Sequence, residues 1–115
     1  MKGLKIFLIM LAIIAMTGVA MAGTLEDVRA KGFIQAGVNG DLFGFGKADD
    51  KGVWKGLDVD TARAIAAAVF GDADKVKYTP LTAKTRFTAL QSGEIDVLTR
   101  NCTQTLGRDT ALGLD

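Results

Sequence analysis

Arg100-Asn101-Cys102-Thr103-Gln104-Thr105, with Arg108 three residues beyond, is the densest run of recognition chemistry in the chain. A guanidinium grips a carboxylate through two parallel hydrogen bonds, and hydroxyl and amide groups satisfy the charges around it. The run also leads into a possible helix, whose N-terminus would offer free N–H groups to an anion. Together these make a carboxylate receptor. A polar surface loop with a solvated arginine is the plainer alternative, and composition leaves both open. A second candidate, Asn39 to Phe45, is Gly-rich with Leu42, Phe43 and Phe45 embedded in it.

The residue inventory removes other chemistries. The chain has no histidine and one cysteine, Cys102, so it can form neither an internal disulfide nor a His- or thiolate-rich metal site. Cys102 reads as a small, partly buried thiol near the pocket, since no imidazole is present to activate it as a nucleophile. Asp58 and Asp60 could be metal ligands, but carboxylates that complement a helix dipole are the simpler reading. Trp54 and Tyr78 read as packing in or beside the core. Glu94 and Asp96 flank a strand and read as solvated. Gly37, Gly40, Gly44 and Gly46 lack both the Lys-Ser/Thr of a P-loop and the spacing of a dinucleotide fingerprint.

The elements that must position these groups alternate in type. Thr24 is a candidate N-cap for a helix over Leu25 to Ala30, closed by Gly32. Phe33 to Val38 is a short, apolar, buried strand. Asp49-Asp50-Lys51-Gly52 is a tight turn, followed by a short strand at Val53-Trp54-Lys55. Asp58 and Asp60 open the clearest helix, which runs to about Phe70 and stops at Gly71. Val59, Ala62, Ala66 and Val69 fall on one helical face, with Ile65 widening it and Arg63 opposite. Val76 to Thr79 alternates as a strand, and Pro80 closes it. Thr85 to Ser92 is a second helix carrying Phe87 and Leu90 inward, with Gly93 at C′. Ile95 to Leu98 is the next buried strand. This order predicts an α/β fold with a mainly parallel sheet covered on both faces. Ligands in such sheets gather at the carboxyl ends of the strands, where both candidate loops fall.

The amino-terminal residues have a different purpose. Lys2 and Lys5 precede an apolar run from Ile6 to Val19, and Ala20-Met21-Ala22 supplies a small-x-small cleavage pattern. The run is about 14 residues, short of the roughly 20 that a membrane span needs. Residues 1–22 therefore read as a signal peptide cleaved after Ala22, giving an exported protein. Of 14 basic and 13 acidic residues the two lysines leave with it, so the remainder holds 12 against 13. That balance, without a basic patch, argues against nucleic acid or an anionic membrane surface as partner. Residues 23–115 suffice for one small domain. Leu112-Gly113-Leu114-Asp115 opens a further apolar segment without a terminating signal, so the sequence reads as part of a longer protein.

Three stretches in order carry a resemblance. Gly56-Leu57-Asp58-Val59-Asp60, then Phe87 to Val97, then Arg108 resemble the amino-terminal lobe of periplasmic polar amino-acid-binding proteins. Ala66 to Asp72 and Leu81 to Asp96 are closer still to the general L-amino-acid-binding members. The resemblance covers essentially all of residues 23–115. It implies a type II periplasmic-binding-protein fold, of which residues 23–115 form the amino-terminal part of the first lobe. It implies reversible capture of a free L-amino acid, without catalysis, cofactor or metal, for delivery to an ABC permease in the inner membrane. A monomer is expected.

Carried over by position, Arg108 would clamp the ligand's α-carboxylate, helped by the backbone N–H of Thr103. The Thr103 hydroxyl and Asn101 carbonyl would accept from its α-ammonium. Asn39 would bear on the side chain, and Ala83 stands where several relatives carry an aromatic that stacks on the ligand. The general subgroup often has Thr-Thr-Trp-Thr at Cys102-Thr103-Gln104-Thr105, and cysteines at Ala36 and Ala62. The same fold also serves periplasmic cyclohexadienyl dehydratases and sensory domains of membrane receptors, which Arg108 alone does not distinguish from capture.

Overall fold

The computed structural model describes residues 1–3 and 23–112. Most of the expected signal peptide and residues 113–115 lie outside the described residues. Helix α1 (Thr24–Lys31) starts one residue earlier than expected. Its N-cap is Gly23, without a side-chain cap, so Thr24 is the first helical residue rather than the cap. Gly32 ends it in the left-handed conformation, donating its N–H to Val28 O. Strand β1 (Ile34–Asn39) follows and is the centre of the main sheet.

That sheet has the order β5-β1-β6 and is parallel throughout, with β5 at Val76–Leu81 and β6 at Val97–Leu98. Alternation along β1 divides the core in two. Ile34 packs on one side with Val28 of α1 and Ala66 of helix α2 (Leu57–Phe70). Leu81, Ala89 of helix α3 (Arg86–Gln91) and Ile95 form the cluster on the other side. Gly37 faces that second cluster, where a Cβ would meet Ile95 and Leu81 Cδ1 atoms at 2.6 Å. Both faces are thus covered, as the alternation of elements predicts.

The helix α2 stripe is borne out, with Val59, Ala62 and Ala66 buried and Ile65 and Val69 half-buried. Gly71 ends it with φ 69°, and Gly93 follows α3 with φ 77°. In α3 the buried residue is Ala89, while Phe87 and Leu90 are only half-buried. Six residues make less than two turns, so only Ala89 is fully buried, with Leu90 packed against the same cluster.

Two strand readings need correction. Pro80 lies inside β5, paired with Val38, rather than closing the strand. β5 is an edge strand among the described residues, where a missing N–H is tolerated. Strand β6 is shorter than expected, because Asp96 uses its side chain as well as its backbone to hold β1. Its N–H donates to Gln35 O at 2.8 Å, and the Gln35 N–H donates to Asp96 Oδ2 at 2.7 Å. Lys31 Nζ meets the same oxygen at 2.5 Å, so Asp96 is a partnered carboxylate and not the solvated one expected. Glu94 is exposed.

The Gly-rich segment after β1 is more ordered than a loop. Strands β2 (Asp41–Leu42), β3 (Gly46–Ala48) and β4 (Trp54–Lys55) form a small antiparallel sheet. Asp41 opposes Lys47 and pairs with it at 3.0 Å. The tight turn at Asp49 to Gly52 is present, held by Asp49 Oδ1, which accepts from the Lys51 and Val53 N–H groups at 2.9 Å. The Val53 N–H and the Lys55 ammonium lower the Asp49 pKa. Trp54 and Tyr78 pack with ring centroids 5.6 Å apart, tilted by 39°.

Candidate functional site

The carboxyl ends of β1, β5 and β6 deliver Asn39, Leu81 and Thr99 to one end of the sheet. Behind them stands the first turn of α2. Its N-cap, Gly56, has no side chain to offer, so backbone carbonyls of the small sheet take over. The Leu57 N–H donates to Gly44 O and the Asp58 N–H to Phe45 O, both at 2.9 Å. These are donors that a helix leaves unpaired at its start. The approach demands glycine: Gly56 has φ 123°, and a Cβ there would lie 2.2 Å from Phe45 O.

This docking buries Asp58, which is 6% exposed. The dipole reading of its carboxylate is therefore incomplete, whereas Asp60 is exposed as expected. Loss of water raises the Asp58 pKa above its ordinary 3.8, opposed by a hydrogen bond from the Asn39 N–H and by the Arg100 charge. Asp58 Oδ2, Thr99 Oγ1 and Arg100 Nε are buried without a hydrogen-bond partner. Buried polar atoms in this state mark a place where further partners fit.

Around that core four of the five predicted binding residues fall into two concavities. Asn39 and Ala83 line one of about 360 Å³, together with Thr82 and Arg100. Ala83 is placed by a turn in which the Thr82 and Thr85 hydroxyls exchange hydrogen bonds with each other's N–H groups, at 3.1 and 3.2 Å. Thr103 and Arg108 line the other, of about 410 Å³, together with Phe87, Cys102 and Gln104. Helix α4 (Leu106–Leu112) carries Arg108, whose N–H donates to the Thr105 hydroxyl at 3.2 Å in the manner of an N-cap. Asn101 joins the two regions, its Oδ1 accepting from Asn39 Nδ2 at 3.2 Å.

Three guanidiniums surround this junction. Arg108 Nη1 donates to Thr103 O, Arg100 Nη1 to Leu81 O, and Arg86 Nη1 to Asn101 O at 2.7 Å. Arg86 and Arg108 flank the Phe87 ring, at 5.5 and 5.3 Å from its centroid. None of the ion pairs among the described residues uses any of the three. Arg86 was not singled out in the sequence, and Arg100 only as the first residue of the polar run. The signal available was their position after β5 and β6. Cys102 is exposed rather than partly buried, because its loop lacks regular structure and stands off the sheet. The arrangement has the chemistry of an anion receptor: fixed cations and polar loop atoms, with no carboxylate ion-paired to the three guanidiniums among the described residues, although Asp96 and Asp109 also line the Arg108 cavity.

Residues 34–114 match the model of the bacterial extracellular solute-binding proteins, family 3. The chain belongs to that family. It is 65% identical over 96 residues to the general L-amino acid-binding periplasmic protein AapJ of Rhizobium johnstonii, covering 84% of this chain and 28% of that protein. It is 57% identical over 98 residues to the glutamate/glutamine/aspartate/asparagine-binding protein BztA of Rhodobacter capsulatus, covering 85% of this chain and 29% of that protein. Among solved structures, a periplasmic binding protein of an ABC transporter from Brucella ovis, with glutathione bound, superposes with a TM-score of 0.78 at 66% identity. That match covers 80% of this chain and 29% of the other. The fold is thus the type II periplasmic-binding-protein fold, and these relatives are binding proteins by name. The chain spans about three-tenths of the length of these relatives.

Proposed function

We propose that the chain is the amino-terminal part of a periplasmic capture protein for L-amino acids, serving an ABC permease. Residues 1–22 act as its cleaved signal peptide, and residues 23–115 form the first part of lobe one. The protein works as a monomer, binds a free amino acid reversibly and carries out no reaction on it. The observation that carries this reading is Arg108, a guanidinium without an ion-pair partner among the described residues, beside the polar loop at the carboxyl ends of the sheet. In the working protein Arg108 takes the α-carboxylate, with the Thr103 N–H. The Thr103 hydroxyl and Asn101 carbonyl take the α-ammonium, and the Asn39 and Ala83 wall meets the side chain. The names of the similar proteins support the same class of ligand.

Every L-amino acid has the two groups that Arg108 and its loop would hold, and each must be paired once removed from water. Calorimetry on the full-length gene product tests the division of labour. Arg108→Ala is expected to abolish binding of every amino acid, a loss of about 2–5 kcal/mol or more. Asn39→Ala should instead change their rank order. Equal losses across all ligands from both substitutions would overturn the assignment.

A further inference from the structure

We propose that Arg100 reads the ligand's side chain and makes the site prefer L-amino acids whose side chain ends in a carboxylate. The proposal rests on the capture reading above and names the selectivity of that site. Arg100 extends from the end of β6 into the concavity it shares with Asn39, Thr82 and Ala83. Ala83 adds only a methyl group to that wall. One Arg100 Nη1 hydrogen bond, to Leu81 O, anchors the guanidinium on the sheet. Its Nε is buried with no partner at all.

The charge around Arg100 favours an anion over a neutral group. Arg86 is close enough to repel Arg100, and it too donates only to neutral carbonyls, of Ala83 and Asn101. Two cations side by side face one nearby carboxylate, Asp58, so positive charge remains in excess, which a carboxylate ligand neutralises and an amide does not. Of the nearby acids, Asp41 is paired with Lys47. Asp58, buried behind the site, offsets part of the Arg100 charge but forms no ion pair with it. Arg108 would hold the α-carboxylate, so a dicarboxylic amino acid has one cationic anchor at each end.

Calorimetry on the full-length protein with L-glutamate, L-glutamine and L-alanine tests this. The wild type should bind L-glutamate at least about tenfold more tightly than L-alanine, and more tightly than L-glutamine. Arg100→Gln should lower the glutamate-to-alanine ratio by about tenfold and leave L-alanine affinity nearly unchanged. Arg100→Lys, which keeps the charge without the planar fork, should fall between. An unchanged ratio in Arg100→Gln, or L-glutamine binding as tightly as L-glutamate to the wild type, overturns the proposal. Should Arg100→Gln not fold, the wild type decides: raising salt from about 0.05 to about 0.5 M should weaken L-glutamate more than L-alanine. Equal salt dependence overturns it. A wild type that binds L-alanine but fails these comparisons loses only the role of Arg100. A wild type that binds no amino acid overturns the capture reading itself.

Discussion

Asp58 separates what a residue's position suggests from what its surroundings impose. At the first turn of a helix, a carboxylate complements the dipole and ordinarily remains in water. Here the small sheet docks on that turn and removes the water, raising the Asp58 pKa chiefly through desolvation. Between the ordinary 3.8 and the raised native value, the folded protein binds more protons than the unfolded chain. Stability from this group therefore falls as pH rises through that window. Asp58→Asn keeps an acceptor for the Asn39 N–H and removes the charge. Its melting temperature at pH 7 should equal or exceed that of the wild type, and the gap should close as pH falls below about 4. A variant less stable at pH 7 by thermal melt, with the deficit shrinking in acid, would mean that the Arg100 attraction outweighs burial.

The elements were legible in proportion to their length and period. Helix α2 repeats its apolar face over fourteen residues, and its stripe and its stop at Gly71 both read directly from the sequence. Of the small sheet only β4 and the turn before it were legible, from their turn residues, because β2, β3 and β4 have two or three residues each and no period can develop. Their pairing depends on close backbone approach instead, at Gly46 against Asn39 and at Gly56 against Phe45. Gly56→Ala should therefore destabilise the protein by at least about 1–3 kcal/mol, from the left-handed backbone conformation alone. Urea unfolding measures this, and a midpoint equal to wild type would show that the α2 turn can shift away from Phe45. The same turn positions Asp58 and, through it, the end of β1.

At the scale of the whole molecule, the two concavities are open, and the hydrogen bond from Asn39 to Asn101 ties the wall of one to the loop that lines the other. A ligand resting there alone would keep one side in water, and its α-ammonium would lack a charged partner from the residues proposed to hold it. The chain spans about three-tenths of the length of its relatives, and the two-lobed reading places the remaining contacts on the rest of the protein. Residues 23–115 produced alone should then bind amino acids weakly or not at all. A clear micromolar signal in calorimetry would place the affinity in this part of the protein instead.

Order and chemistry of the elements were determined by the sequence itself. A run of alternating strands and helices with Gly stops admits one layered parallel sheet, and loops after its strands must share one end. The Arg108 loop could be singled out because polar density and position are local properties. Contacts between residues far apart in the chain were decided only by the tertiary structure. Asp96 reaching back to Gln35, Asp58 buried against Asn39, and Arg86 beside Arg100 each join segments separated by many residues. No periodicity records such pairs, because they depend on how the small sheet and the helices dock. Desolvation and charge proximity exist only once those surfaces have met.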